Sequence, residues 1–154
     1  MAVYFFDSSA VVKRYVSETG TSWVLGVTDP VANNHIHIAR VTGVEVVSAI
    51  TRRTRGGSLS AADAATAIAG FRYDFATSYR VVDITTALII NAMRLAETHA
   101  LRGYDSIQLA AALEVNVQAL SVGLRALTLV SSDTDLNAAA VREGLTTEDP
   151  NAHP

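Results

Sequence analysis

The stretch Val3-Tyr4-Phe5-Phe6-Asp7-Ser8-Ser9-Ala10-Val11-Val12-Lys13-Arg14-Tyr15 decides the fold class. Its first four residues are aromatic or β-branched with no polar break, which predicts a short strand, from about Ala2 to Phe6, buried on both faces. A carboxylate ends that strand and two serines follow. These residue types satisfy free N–H groups at a helix start, so Ser8 to Val16 is expected to be helical. A buried strand feeding directly into a helix is how an α/β protein begins.

The alternation continues along the chain. Thr21 to Thr28 reads as a helix closed by Asp29-Pro30, and His35-Ile36-His37-Ile38 alternates like a strand. A helix from about Val41 to Arg53 ends at Gly56-Gly57. Another restarts with Ser60 as N-cap and Asp63 at the third position, and runs to about Ala76. Arg80 to Ile84 is the third strand, followed by helices from about Thr86 to Ala100 and from Asp105 to about Leu120. Leu127 to Val130 is the best interior strand of the second half. Asp135 to Glu143 is a short helix ending at Gly144, and Leu145 to Thr147 an edge strand. Strands separated by helices imply a three-layer α/β/α sandwich around a mostly parallel sheet. One domain over residues 1–147 is expected, with 148–154 a poorly ordered tail.

Composition narrows the function classes. Hydrophobic residues make up 49% of the 154, yet no apolar run approaches the roughly 18 residues that cross a bilayer, so no membrane partner is expected. The start lacks a basic segment and reaches Asp7 too soon for a secretory signal, which makes the cytoplasm the expected location. With no cysteine, disulfides and thiolate metal sites are excluded, and any metal must be held by oxygen or histidine. Twelve Lys and Arg against fifteen Asp and Glu give a net charge of −3, which is no broad basic surface for nucleic acid. That objection weakens if several carboxylates are neutralised by bound metal.

Four acidic residues stand out. Asp7 follows the first strand, Asp133 follows Leu127-Thr128-Leu129-Val130 after two serines, Glu45 interrupts an apolar helical stretch, and Asp105 opens the helix over Ser106 to Leu113. In a parallel sheet, groups that follow the strands collect at one edge, where ligands bind. Each residue also has a plainer reading: Asp7 and Asp133 as helix N-caps, Asp105 as a charge favoured by the helix dipole, and Glu45 as a salt-bridge partner of Arg52. Clustered, the four would suit a hard divalent cation, whereas one alone and buried would titrate to neutral. His35 and His37 share one side of a strand and are read as packed or surface histidines. Tyr15 and Trp23 are read as packing residues.

Phe6 to Tyr15 resembles the opening motif of the PIN-domain nucleases, particularly the VapC toxins. Glu45-Val46-Val47-Ser48-Ala49 resembles their second acidic motif, Gly103-Tyr104-Asp105-Ser106-Ile107-Gln108-Leu109-Ala110-Ala111-Ala112 the third, and Leu129-Val130-Ser131-Ser132-Asp133-Thr134-Asp135-Leu136 the fourth. The landmarks keep the family's order from the first strand almost to the last. The resemblance implies a sheet of about five parallel strands, with Asp7, Glu45, Asp105 and Asp133 as the catalytic and metal-binding quartet for Mg²⁺ or Mn²⁺. It implies supporting roles for Ser8 and Ser131, the latter a serine where threonine is common, and an outer place for Asp135.

The activity implied is an endoribonuclease in which metal-activated water attacks in line at phosphorus, leaving a 5′-phosphate and a 3′-hydroxyl. The partners implied are RNA, a second copy of the chain, and a VapB-type antitoxin laid across the groove. Lys13, Arg14, Arg52 and Arg55 form the dense basic patches and are candidate phosphate contacts, against the plain reading of solvated charge at helix ends. Competing functions are a stand-alone RNA-processing PIN nuclease, a non-catalytic PIN-like interaction module, and a phosphatase or phosphoacceptor domain using Asp7. Retention of all four acids counts against the second, and the absence of an aspartate two residues after Asp7 against the third.

Overall fold

A computed structural model describes residues 1–154. Five strands, β1 (Val3–Phe6), β2 (His35–Ala39), β3 (Arg80–Val82), β4 (Thr128–Val130) and β5 (Thr146–Glu148), form one sheet in the order β3-β2-β1-β4-β5. All four pairings are parallel. The helices are α1 (Ser8–Val11), α2 (Thr21–Thr28), α3 (Thr42–Arg55), α4 (Ala61–Thr77), α5 (Thr86–His99), α6 (Gly103–Ser121) and α7 (Thr134–Arg142).

The central strand explains the layering. Val3 and Phe5 pack with Leu127, Leu129 and the buried stripes of α5, α6 and α7, whereas Phe6 joins Ile36, Ile38, Val130 and the stripes of α1 to α4. Successive side chains of a strand point to opposite faces, so an unbroken apolar run needs cover on both sides. Phe5 and Phe6 are completely buried, each gaining roughly 1.5–3 kcal/mol from transfer out of water.

Boundaries shift little from those expected. The first helix is shorter: α1 tightens into a 3-10 turn over Val12–Arg14. The third strand stops at Val82. The larger difference is the tail. Glu148 ends β5, and Pro150–Ala152 forms a 3-10 turn in which Pro150 is buried. Asn151 Oδ1 accepts from Lys13 Nζ at 2.9 Å, and the His153 ring stacks on Trp23 at 4.7 Å between centroids. Gly20 makes the approach feasible: it sits at φ +87°, and a Cβ there would lie 2.4 Å from the Pro150 carbonyl oxygen.

The order of the strands fixes where a site can form. From β1 the chain steps outward to β2 and β3, then returns to the other side of β1 with β4 and β5. The direction reverses between β1 and β4, and the crevice beyond their carboxyl ends is the natural binding place of such a sheet.

Candidate metal centre

Asp7 and Asp133 flank that crevice. The Asp7 amide donates to Val130 O at 3.1 Å, holding the β1 and β4 exits together by backbone, and the Ser131 amide donates to Glu148 O at 3.0 Å, holding the β4 exit to β5. Asp7 is 3% exposed. Its Oδ1 accepts from Ala10 N at 3.0 Å and Ser9 Oγ at 2.7 Å, and its Oδ2 from Ser131 Oγ at 2.7 Å. The N-cap reading of Asp7 is therefore correct and does not exhaust its role, because its second oxygen turns to β4. Ser9 was not singled out in the sequence, yet its hydroxyl also accepts from Ser132 N at 2.9 Å, joining the two strand exits.

Glu45 reaches the same crevice from the first turn of α3. It does not pair with Arg52. Its Oε2 accepts from Ser8 Oγ at 3.3 Å and its Oε1 from Gln108 Nε2 at 2.7 Å. Gln108 is 1% exposed and donates also to Thr42 Oγ1 at 2.9 Å. A carboxylate can only accept, which fixes the amide with nitrogen toward Glu45 and leaves its buried oxygen without a partner. Sequence reasoning missed Gln108. The signal was present: a glutamine among Leu109, Ala110, Ala111 and Ala112, three residues after Asp105 and so on its face of the helix.

Asp105 and Asp133 complete the group. Asp133 caps α7, its Oδ1 accepting from Leu136 N at 2.9 Å, and its Oδ2 accepts from Arg102 Nη2 at 2.8 Å. Asp105 Oδ2 accepts from Arg102 Nε at 2.9 Å. Arg102 was likewise missed by sequence reasoning, although it stands three residues before Asp105, within reach on the same helical turn.

All four acids line one cavity of about 760 Å³, with Ser8, Ser9 and an apolar wall that includes Ile89, Met93 and Ile107. Arg102 is the only basic residue among its fifteen lining residues. Burial pushes the Asp7 carboxyl up from 3.8 to about 6, against the hydrogen bonds from Ser9, Ser131 and Ala10. Burial also raises Glu45, opposed by Gln108 and Ser8, and raises Asp105, opposed by Arg102. Three of the four carboxyls thus resist ionisation, chiefly because they are buried.

The donors are all oxygens, which suits Mg²⁺ or Mn²⁺. In the observed arrangement no three acidic or histidine side chains stand close enough to ligate one ion, the guanidinium of Arg102 lying between two of them. The donor set fits in kind and in charge.

Other expected residues fall elsewhere. Asp135 is exposed in the first turn of α7 and does not line the cavity. Lys13 is corrected: it is 5% exposed, and its Nζ donates to Glu18 Oε1, Thr19 O and Asn151 Oδ1, leaving nothing for a phosphate. Arg14 is corrected too, since it bonds Thr28 O and pairs with Asp74 at 3.2 Å. Arg52 and Arg55 are exposed and line a separate groove between α3 and α4. Burial holds the His37 ring down at about 4, with Arg80 nearby, so it stays neutral.

A PIN-domain family profile matches residues 4–142. The chain belongs to the PIN-domain family, in its VapC branch. This PIN domain is 33% identical over 124 residues to Ribonuclease VapC45 of Mycobacterium tuberculosis strain CDC 1551 / Oshkosh, covering 80% of the chain and 84% of the relative. Among solved structures it resembles PAE2754 from Pyrobaculum aerophilum, with a TM-score of 0.61 and 22% identity over 95% of this chain and 89% of that one. It also resembles VapBC2 from Rickettsia felis bound to a promoter DNA fragment, with a TM-score of 0.63 and 14% identity over 96% and 98%. These structural likenesses carry the PIN fold; the sequence relative carries the branch.

Proposed function

We propose that this PIN domain is a divalent-metal-dependent endoribonuclease, the toxin of a type II toxin–antitoxin pair. One observation carries the reading: four carboxylates from β1, α3, α6 and the β4 exit open into one cavity at the point where strand order reverses, with a single guanidinium to balance them. The name of the relative VapC45 supports ribonuclease over other phosphodiester chemistry.

Asp7, Glu45, Asp105 and Asp133 would hold Mg²⁺, or Mn²⁺. When bound, such an ion supplies a lowered pKa for water and neutralises charge on a phosphate under attack. The protein's own part is positioning. Ser9 and Ser131 hold the two oxygens of Asp7, while Ser8 and Gln108 hold those of Glu45, so neither carboxylate searches rotamers as the substrate arrives. The apolar wall limits water beside the reacting phosphate, and Tyr104 at the rim, 60% exposed, offers a ring for a base to stack on. Arg52 lies seven residues beyond Glu45 on α3, about 10 Å at 1.5 Å per residue, and with Arg55 would contact flanking phosphates. Exposed Ile90 and Met93 on α5 supply apolar area for a second copy or an antitoxin segment.

The test is RNA cleavage by purified protein with Mg²⁺ or Mn²⁺, with chelator, and by Asp7→Asn and Asp105→Asn. Cleavage that needs the metal and is lost in both variants supports the reading. Cleavage that persists in chelator or in both variants refutes it.

A further inference from the structure

We infer that Arg102 is an internal counter-cation of the acidic cavity, bridging Asp105 and Asp133 in the ion-free protein, and that a divalent ion must displace it to bind. The inference rests on the metal reading of the cavity and adds a competitor built into the chain.

The hydrogen-bond inventory puts the guanidinium and an ion in competition for the same two carboxylates. Asp133 Oδ1 is committed to the amide of Leu136 at the start of α7, so Oδ2 is the oxygen left to face the cavity, and Arg102 Nη2 takes it at 2.8 Å. On the other side Arg102 Nε takes Asp105 Oδ2 at 2.9 Å. The guanidinium fork thus ties the start of α6 to Asp133, 31 positions beyond Arg102 in the chain, which a point charge on a flexible stem would not do with one geometry.

The exposures are asymmetric. The Arg102 side chain is 78% exposed, against 15% for Asp105 and 24% for Asp133. Nothing else in the structure holds the guanidinium in place, so it can swing to solvent without disturbing a packed group. Its backbone helps: Arg102 is the extended residue preceding α6, at φ −62° and ψ 154°, and its side chain makes no cap bond to the helix. The arginine is therefore tethered beside the cavity and free to leave. Apparent metal affinity is reduced by the fraction of molecules in which the bridge is closed.

The test uses the full chain. In a nitrogen-15 NMR spectrum the Arg102 Nε–H signal should be hydrogen-bonded in chelator and move to the position of a free arginine as Mg²⁺ saturates. By calorimetry, Arg102→Gln should bind Mn²⁺ about 2- to 5-fold more tightly than wild type, as expected when an exposed bridge that competes with the ion is removed. Arg102→Lys, which keeps the charge and loses the fork, should also bind more tightly. An Arg102 signal unmoved at saturating Mg²⁺, Arg102→Gln binding no more tightly, or Arg102→Lys binding like wild type would overturn the bridge while leaving the metal pocket standing. Failure of both wild type and Arg102→Gln to bind either ion would overturn the metal reading, and the bridge with it.

Discussion

Replacing Asp7 by asparagine should abolish RNA cleavage and, in the same molecule, stabilise the metal-free protein at neutral pH. The carboxyl is 3% exposed and raised from 3.8 to about 6, chiefly by burial. Ionising it in the folded state, with no cation at hand, therefore costs ~3 kcal/mol more than in the unfolded chain. The sign follows from proton uptake. Between 3.8 and about 6 the folded state binds more protons than the unfolded one, so stability is greatest at the acid end, falls as pH rises through this window, and stays low above it. Asparagine removes the ionisation. It keeps an oxygen for Ser9 and Ala10 but turns an N–H toward Ser131, forfeiting about 1 kcal/mol of hydrogen bonding. The net gain is ~2 kcal/mol near neutral pH, or about 4–8 °C in Tm for a chain of this size. Thermal melts in chelator, at neutral pH and below about pH 4, read it directly. The variant should melt higher at neutral pH, and the gap should close or reverse in acid. A variant that melts at or below wild type at neutral pH, or a gap independent of pH, would refute the reasoning.

Gln108→Leu should weaken Mn²⁺ binding about 10- to 100-fold, the usual effect of removing a group that orients a ligand, because Glu45 loses its 2.7 Å donor; unchanged affinity would show that Gln108 only packs. Lys13→Ala should lower stability by roughly 2–3 kcal/mol, because it strips three partners from a buried cation site and unpins the tail through Asn151. Its RNA affinity should keep the salt dependence of wild type, and a flatter dependence would restore Lys13 as a phosphate contact. Arg52→Ala and Arg55→Ala should each flatten the log–log salt dependence of RNA binding by about 0.7, the value for one lost contact to a single strand. An unchanged slope would remove them from the RNA path.

What the sequence revealed was local, and what it hid was distant. The apolar run before Asp7, the serines after it and the run before Asp133 announce a buried parallel sheet with carboxylates at its exits, and the structure has that sheet. Glu45 could be read from the apolar stripe it interrupts on α3. The helical spacing of Arg102 and Gln108 around Asp105 was legible, but their bonds to Asp133 and Glu45, 31 and 63 residues away, were not, nor was the bond of Ser9 to the amide 123 residues on. The burial of Lys13 was hidden for the same reason. A Lys-Arg pair at a helix end reads as solvated charge until the tail, 138 residues on, folds back over it. The strand that leads into the tail, β5, also bonds the Ser131 amide through Glu148 O.

The proposed function stands or falls on whether Asp7, Glu45, Asp105 and Asp133, from distant segments, hold divalent metal in one cavity. Crystals grown with Mn²⁺ and measured at a wavelength where manganese scatters anomalously test it most directly. The expected result is a peak in the cavity among the Asp7, Glu45, Asp105 and Asp133 carboxylates, with Arg102 swung away. Manganese bound elsewhere, or no peak while Arg102 still bridges Asp105 and Asp133 at saturating metal, would contradict it.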